Sequence, residues 1–227
     1  MGPFYPSNLR PADYLGHYAR HFATVEINNT FYHLPKAEAL ATWRDATPEG
    51  FVFACKASRY ITHMKKLRDP QESSKRFFAA METLEEKLGP ILFQLPPRWR
   101  LNLDRLSAFL KALPTGRRIA FEFRDESWFS PAVYELLARH KIALCIYELA
   151  GNLAPIEVTA DFVYLRLHGP GGAYRGSYDD HTLAAWAARL LTWCKSGLDA
   201  FVYFDNDEAG YAVRDAQRLG AMVERSD

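Results

Sequence analysis

The sequence predicts an α/β fold of the TIM-type (β/α) barrel class, and three observations favour that class. Seven apolar runs alternate with segments of helical periodicity along the 227 residues, which is the order of a parallel sheet covered by helices. Each run ends in polar residues, and the strand ends of a barrel meet at one mouth. No glycine-rich turn follows the first run, although such a turn is typical of open nucleotide-binding sheets.

The predicted strands are mostly continuous apolar runs, as expected for parallel strands that are buried on both faces. They cover residues 24–32, 51–58, 91–95, 118–124, 142–148, 162–168 and 200–206. Residues 150–160 contain glycine and proline, and they are predicted to form a loop where a helix would otherwise follow a strand.

Helical periodicity marks the segments between the strands. The predicted helices cover residues 11–22, 36–46, 69–89, 103–113, 131–140, 180–196 and 208–223. In the clearest of them Asp69 is expected to cap the N-terminus, Glu72 completes a capping-box spacing, and Leu88 lies on the apolar stripe. The dipeptide Gly89-Pro90 is expected to end this helix.

The composition indicates one globular domain over residues 1–227. Hydrophobic residues make up 48% and charged residues 24% of the chain, which argues against disorder. The net charge of +1 gives no general attraction to nucleic acid or to a membrane. No apolar run approaches the roughly 20 residues of a membrane span, and no signal peptide opens the chain. The three cysteines are widely spaced and expected to be reduced, so we expect a cytoplasmic protein without a membrane partner.

Polar residues at the predicted strand ends form the candidate site. Side chains alternate along a strand, so residues two positions apart share a face. The pairs expected to do so are Glu26 with Asn28, Lys56 with Ser58, Glu122 with Arg124, and Arg166 with His168. The strand ends also supply Gln94, Glu148, Asp205 and Asn206. Carboxylates there can act as bases and cations can neutralise a phosphate, although a buried ion-pair network would need the same charges.

Two loops supply further candidate ligand-binding residues. The segment 169–176 is glycine-rich and follows a strand near the end of the barrel, where loops commonly bind phosphate. Gly169 would let backbone N–H groups approach an anion, and Tyr174 would contact the rest of the ligand. The segment 59–68 combines four basic residues with Tyr60 and His63, which suits a phosphodiester backbone. The alternative is that both segments are solvated surface loops.

A divalent metal ion is a further hypothesis. Its candidate ligands are Glu26, Glu122, His168 and Asp205, which are residue types that metal-dependent barrels use. Their spacing forms no local motif, and Lys56 and Arg166 would compete with a cation for the carboxylates. Lys56 is alternatively a candidate Schiff-base nucleophile.

Six segments, in order along the chain, resemble the signatures of the YecE-like family, known as domain of unknown function 72. They are VEINNTFY (25–32), FACKASRYITH (53–63), LFQLPP (92–97), FEFR (121–124), LRLHG (165–169) and YFDN (203–206). The resemblance implies a TIM-type barrel distantly similar to the xylose isomerase and apurinic endonuclease group. It implies no established reaction.

Members of that family usually begin with one further strand before the segment that appears here as Phe4-Tyr5-Pro6. The barrel is therefore predicted to lack its first strand in this chain, and the native chain is expected to start upstream of Met1. An intact mass of the native protein that begins at Met1 would contradict the second expectation.

The leading interpretation is an enzyme that binds a phosphate-bearing small molecule or nucleic acid at the strand ends and hydrolyses a phosphoester. The cations Lys56, Arg124 and Arg166 would hold the anion. The catalytic candidates are Glu26, Lys56, Glu122, His168 and Asp205. The alternatives are a sugar or sugar-phosphate isomerase or lyase, and a non-catalytic nucleic-acid-binding protein that uses residues 59–68.

Overall fold

The computed structural model describes residues 4–225, and the chain divides into two compact units. The N-terminal unit comprises Leu9–Ile142, and the C-terminal unit comprises residues 143–225 together with residues 4–8. Parallel strands alternate with helices in both units, which is the predicted α/β organisation of a TIM-type barrel. The expectation of a single domain over residues 1–227 stays a prediction.

Four strands of the N-terminal unit pair in parallel and in chain order. They are β1 (Thr24–Ile27), β2 (Val52–Lys56), β3 (Leu88–Gln94) and β4 (Ile119–Glu122). The helices are α1 (Tyr14–Tyr18), α2 (Asn29–Tyr32), α3 (Ala37–Asp45), α4 (Pro70–Met81), α5 (Leu103–Ala112) and α6 (Pro131–Arg139). Turns of 3-10 helix cover Pro11–Asp13, Glu82–Lys87 and Glu126–Trp128, and a π-helical turn covers Tyr60–Met64.

The C-terminal unit contains a second set of parallel strands, β5 (Ala143–Leu149), β7 (Phe162–Leu167) and β8 (Asp199–Phe204), paired in that order. A short strand, β6 (Asn152–Leu153), pairs antiparallel with β5. The helices are α7 (Asp180–Lys195) and α8 (Tyr211–Glu224), and a 3-10 turn covers Asp207–Ala209. Among residues 4–225, no helix has the length and apolar character that crossing a membrane requires.

Each sheet has an apolar face that packs against its own helices. In the N-terminal unit the rings of Phe93 and Phe121 stack with centroids 5.2 Å apart, and Phe109 of α5 packs against both. In the C-terminal unit Leu165 of β7 belongs to a buried cluster with Trp186 of α7. Because side chains alternate along a strand, the intervening residues of the same strands lie on the opposite face, where the polar groups are placed.

The predicted helix over residues 69–89 begins where expected, with Pro70 as its first helical residue, but its C-terminal end is wrong. Helix α4 ends at Met81, and Leu88, Gly89 and Pro90 belong to β3. A Cβ atom on Gly89 would lie 2.3 Å from Val52 Cγ1, so the glycine lets β3 approach β2 and does not act as a helix stop.

Asp69 occupies the N-cap position of α4, but the predicted capping by its side chain is wrong. Asp69 has a left-handed backbone with φ of 46° and forms no side-chain capping hydrogen bond. Its carboxylate accepts a hydrogen bond from Lys65 Nζ at 2.9 Å, so the charge that would cap the helix is engaged with the preceding turn.

Each of the seven predicted strands is present within residues 4–225, with different ends. The first predicted strand exceeds the observed strand by the largest amount, because residues 29–32 form α2 and do not continue β1. The predicted helix over 11–22 is a 3-10 turn followed by the short α1, and the last helix begins at Tyr211, three residues later than predicted. The predicted loop over 150–160 contains β6.

Candidate functional site

The strands of the N-terminal unit bring four predicted site residues to one face. The register pairs Glu26 with the residue two positions before Lys56, and it pairs Lys56 with the residue two positions before Gln94. It pairs Gln94 directly with Glu122. Since alternate residues of a strand share a face, these four lie together on the face opposite the phenylalanine stack. We call Glu26, Lys56, Gln94 and Glu122 the polar face.

Phe31 brings a cation, an imidazole and an exposed tyrosine together at the end of β2. The Lys56 ammonium lies 4.6 Å from the centroid of the Phe31 ring. The rings of His63 and Tyr32 each meet the Phe31 ring edge to face, with centroids 5.0 Å away. Thr30 Oγ1 holds α2 in place by donating to the Lys56 carbonyl oxygen at 2.6 Å. We call Phe31, Tyr32, Lys56 and His63 the Phe31 cluster.

The surroundings of His63 are electropositive. Burial is the largest cause that lowers the pKa of His63, and the positive charges of Lys56 and Arg59 lower it further. Thr62 Oγ1 lies 2.9 Å from His63 Nδ1 and fixes the orientation of the ring. His63 is therefore neutral at neutral pH and lies near the positive charges of Lys56 and Arg59.

Residues 59–68, the basic segment, follow β2 directly and include the π-helical turn. Tyr60 is 44% exposed, and Lys65 Nζ lies 5.9 Å from the centroid of its ring while bonding Asp69 at 2.9 Å. The other cations of the segment are exposed and have no salt-bridge partner among residues 4–225; they are Arg59, Lys66 and Arg68. The segment therefore presents a positively charged surface next to the Phe31 cluster.

Three other predicted residues lie just beyond the strand ends. Asn28 follows β1 in helical conformation, and within residues 4–225 its buried Oδ1 has no hydrogen-bond partner. Ser58 Oγ accepts the Tyr60 N–H at 3.2 Å, so Ser58 caps the turn that follows β2. Arg124 Nε donates to Glu122 Oε1, and their side chains are 11% and 0% exposed. The Glu122 carboxylate is therefore held by a buried cation.

Arg166, His168 and Asp205 form a buried network in the C-terminal unit. Arg166 Nη2 donates to Asp205 Oδ2 at 2.6 Å, and Arg166 Nη1 lies 3.0 Å from His168 Nε2. His168 Nε2 is 3.4 Å from Asp205 Oδ2. The side chains of Arg166, His168 and Asp205 are 3%, 0% and 19% exposed. These residues thus lie close together, as predicted, and they bond one another within the C-terminal unit.

The hydrogen bonds of His168 define its tautomer. Its Nδ1 lies 3.1 Å from the carbonyl oxygen of Glu148, which can only accept, so Nδ1 carries the hydrogen. The guanidinium of Arg166 can only donate, so His168 Nε2 accepts from it. Both ring nitrogens of His168 are therefore engaged within the unit, which fits a residue that orients Arg166.

The glycine-rich loop uses backbone amides for its own hydrogen bonds. The Gly169 N–H donates to Tyr178 Oη at 3.0 Å, and the Tyr174 N–H donates to the His168 carbonyl oxygen at 2.7 Å. A Cβ atom on Gly169 would lie 2.3 Å from the Arg175 carbonyl oxygen, so glycine is required for this close return of the chain. Both amides are therefore engaged within the loop, and anion binding at Gly169 and ligand contact by Tyr174 stay predictions.

Asp215 of α8 fastens this loop to the end of β8, and sequence reasoning missed it. Its fully buried carboxylate accepts hydrogen bonds from the Tyr178 N–H at 2.9 Å, Ser177 Oγ at 2.7 Å and Asn206 Nδ2 at 2.8 Å. Asn206 Nδ2 also donates to the Gly176 carbonyl oxygen at 2.8 Å. Asn206, predicted to bind ligand, thus anchors the loop.

Glu148 lies on the face of the C-terminal sheet opposite to Arg166. The register pairs Glu148 with Leu167, which belongs to the buried apolar cluster against α7. Burial raises the pKa of Glu148, and a hydrogen bond with the Trp186 side chain partly offsets this. Glu148 is therefore a carboxyl group of the helix-facing layer.

Within residues 4–225, no group of three or more His, Cys, Asp or Glu side chains is arranged to hold a metal ion. The predicted metal ligands are Glu26, Glu122, His168 and Asp205. The Glu122 carboxylate already bonds Arg124, and the Asp205 carboxylate bonds Arg166. Metal binding by these residues stays a prediction.

Alternating parallel strands and helices, with polar residues at the strand ends, define an α/β protein of the TIM-barrel class. A family model described as "Protein of unknown function DUF72" matches residues 1–227. The chain therefore belongs to the DUF72 family, as its six signature segments predict.

Relatives and solved structures agree with this assignment. The UPF0759 protein YunF of Bacillus subtilis (strain 168) is 26% identical over 253 residues, covering 97% of this chain and 90% of YunF. The UPF0759 protein YecE of Escherichia coli (strain K12) is 36% identical over 120 residues, covering 51% of this chain and 43% of YecE.

Two crystal structures of DUF72 family proteins share the fold. The Thermotoga maritima MSB8 protein superposes with a TM-score of 0.87 at 26% identity, covering 99% of this chain and 94% of the other. For the Enterococcus faecalis V583 protein the TM-score is 0.82 at 21% identity, with 94% and 92% covered. The second likeness supports the fold alone.

Proposed function

We propose that the N-terminal unit binds a phosphate-bearing ligand on its polar face and hydrolyses a phosphoester there. The observation that carries this proposal is the Phe31 cluster, in which a lysine and a histidine contact one aromatic ring at the end of β2. The register places that lysine on the same face as Glu26 and Glu122. Cations bind phosphate oxygens and a neighbouring carboxylate activates water, so this face combines the groups that hydrolysis needs.

Within the proposal, Lys56 and Arg59 neutralise the phosphate and neutral His63 donates a hydrogen bond to it. Glu26 is the general base in this proposal, because it shares the face of Lys56, and Glu122 is the carboxylate that bonds Arg124. The basic segment would hold the remainder of a polyanionic ligand.

The C-terminal unit receives a different role in the proposal. Arg166, His168 and Asp205 already satisfy one another's hydrogen bonds and are largely buried. We assign them to positioning the end of β7 and the loop that follows, in place of the catalytic roles predicted for His168 and Asp205 from the sequence.

Ligand binding is tested by Lys56→Met, with a nucleoside monophosphate as the probe in titration calorimetry. Loss of one hydrogen-bonded charge is expected to weaken binding by about 1.5–3 kcal/mol, which corresponds to roughly 10- to 150-fold. The exposed Lys111 of α5 supplies the matched control Lys111→Met. Equal affinities of the two variants would contradict the role of Lys56.

Hydrolysis is tested separately with the purified protein and Mg²⁺, Mn²⁺ or Zn²⁺. The substrates are DNA with an abasic site and a chromogenic phosphomonoester. Cleavage that is lost in Glu26→Gln supports the proposal, whereas absence of cleavage with every metal and substrate excludes hydrolysis of these phosphoesters.

A non-catalytic nucleic-acid-binding protein is the second candidate, favoured by the exposed cations of the basic segment. It predicts salt-sensitive binding that weakens in Lys65→Ala/Lys66→Ala and survives in Glu122→Ala. A catalytic pocket predicts that hydrolysis is lost in Glu122→Ala, which removes the carboxylate bonded to Arg124.

A further inference from the structure

We infer that the phosphate-bearing ligand is a single-stranded nucleic acid, DNA or RNA, whose bases stack on Tyr32 and Tyr60. This inference rests on the proposed function for the phosphate-binding role of the Phe31 cluster, and it adds the class of ligand.

Tyr32 and Tyr60 expose aromatic surface that their neighbours hold in place. Tyr32 is 59% exposed, and its ring meets Phe31 at an interplanar angle of 87°. Tyr60 is 44% exposed, Ser58 Oγ accepts its N–H, and its carbonyl oxygen accepts the Lys65 N–H at 2.8 Å. A tyrosine fixed by its backbone and by a neighbouring ring loses little entropy when a base stacks on it.

A cation accompanies each tyrosine. Lys56 and Tyr32 contact the same Phe31 ring, and the Lys65 ammonium lies over the Tyr60 ring. Surfaces that bind single strands place cations beside aromatic rings in this way, because a nucleotide presents a flat base beside a charged phosphate. The exposed cations of the basic segment continue the positive surface beyond Tyr60.

The tyrosines distinguish a single strand from the other phosphate-bearing ligands. In a duplex the faces of the bases are stacked on one another, so exposed tyrosine rings have no partner there. A sugar phosphate has no aromatic face at all. An unpaired strand supplies both the charge that the lysines need and the flat surface that the tyrosines need.

The test measures fluorescence anisotropy of labelled oligonucleotides with the full chain at low salt. The probes are single-stranded DNA and single-stranded RNA of one mixed sequence, and the DNA duplex of that sequence. We expect the single strands to bind more tightly than the duplex, and Tyr60→Leu and Tyr32→Leu each to weaken single-strand binding about tenfold. Tyr60→Phe keeps the ring and is expected to bind like the parent. Thermal unfolding by circular dichroism confirms that each variant is folded.

The outcomes separate this inference from the proposed function. Equal or tighter binding of the duplex, or unchanged affinity in both leucine variants, would overturn the inference. Lys56-dependent binding of a nucleoside monophosphate without any oligonucleotide binding would also overturn it while the proposed function stands. Tyrosine-dependent single-strand binding without hydrolysis supports the inference while the hydrolytic proposal fails. A preference for DNA or for RNA supports the inference and identifies the source of the ligand.

Discussion

The two units place a cation at the end of a parallel strand in contrasting surroundings. In the C-terminal unit the Arg166 side chain is 3% exposed and bonds Asp205 at 2.6 Å. In the N-terminal unit Lys56 is half-buried over an aromatic ring, and exposed cations follow it in the chain. A buried charge must be paired inside the protein, whereas a positive surface open to solvent is available to a ligand. The contrast teaches that polar strand ends of the same appearance in sequence can lie in a buried network or beside an exposed positive surface.

The largest expected effect comes from breaking the buried pair with Arg166→Met. The substitution leaves the Asp205 carboxylate without its guanidinium partner, and we expect a loss of about 3–5 kcal/mol in the free energy of unfolding. Urea denaturation measures this loss. The matched control is Arg175→Met, because Arg175 is 71% exposed and lies 3.8 Å from Glu208. If the two variants lost the same stability, the Arg166 network would not be structural and the comparison between the units would break.

A smaller effect is expected when the loop anchor is weakened by Asp215→Asn. An amide has one acceptor oxygen, whereas the carboxylate has two. At least one buried donor therefore loses its partner, which lowers the free energy of unfolding by about 1–3 kcal/mol. Limited proteolysis should then cut residues 169–176 faster than in the parent. The control is Asp180→Asn, since the Asp180 side chain is 80% exposed and, like that of Asp215, bonds Arg218. Unchanged proteolysis in Asp215→Asn would show that the loop is held by other contacts.

The smallest effect concerns the pH dependence of stability through His63. Its pKa in the folded chain lies below the ordinary 6.5, so the unfolded chain binds the proton at a higher pH than the folded chain does. Stability therefore falls as the pH decreases below this value, and His63→Gln should reduce that slope. Denaturation across this pH range measures it. An equal slope in parent and variant would mean that burial and the charges of Lys56 and Arg59 do not lower the pKa of His63 in the folded chain, which would weaken the contrast between the units.

Local patterns in the sequence predict the strands well and the helix ends less well. Apolar runs define β2 and β4 to within two residues at each end. The segment around Gly89 is misassigned because its glycine serves close packing of β3 on Val52, a requirement that appears only when two strands meet. Capping residues such as Asp69 are similarly ambiguous, because the same carboxylate can bond a nearby lysine.

Alternation along the strands predicts which site residues share a face, but not how they are engaged. It correctly groups Arg166 with His168, yet the sequence does not show that their hydrogen bonds are satisfied within the unit. The sequence pattern could have identified Asp215. It lies three positions after Ala212 and four before Leu219, so an acidic residue stands on the apolar stripe of α8. Its partners are in a loop and a strand end far away in sequence, so their identity requires the fold.

The π-helical turn over Tyr60–Met64 contains one residue more than an α-helical turn would need, since the Lys65 N–H bonds the Tyr60 carbonyl oxygen five positions earlier. Deleting a single residue inside it would restore ordinary helical spacing and rotate everything downstream by about 100° around the turn. Lys65 would leave the Tyr60 ring, and the remaining cations would point in a new direction without any change in composition. The length of this turn thus sets the direction in which the part of the basic segment after it presents its charge.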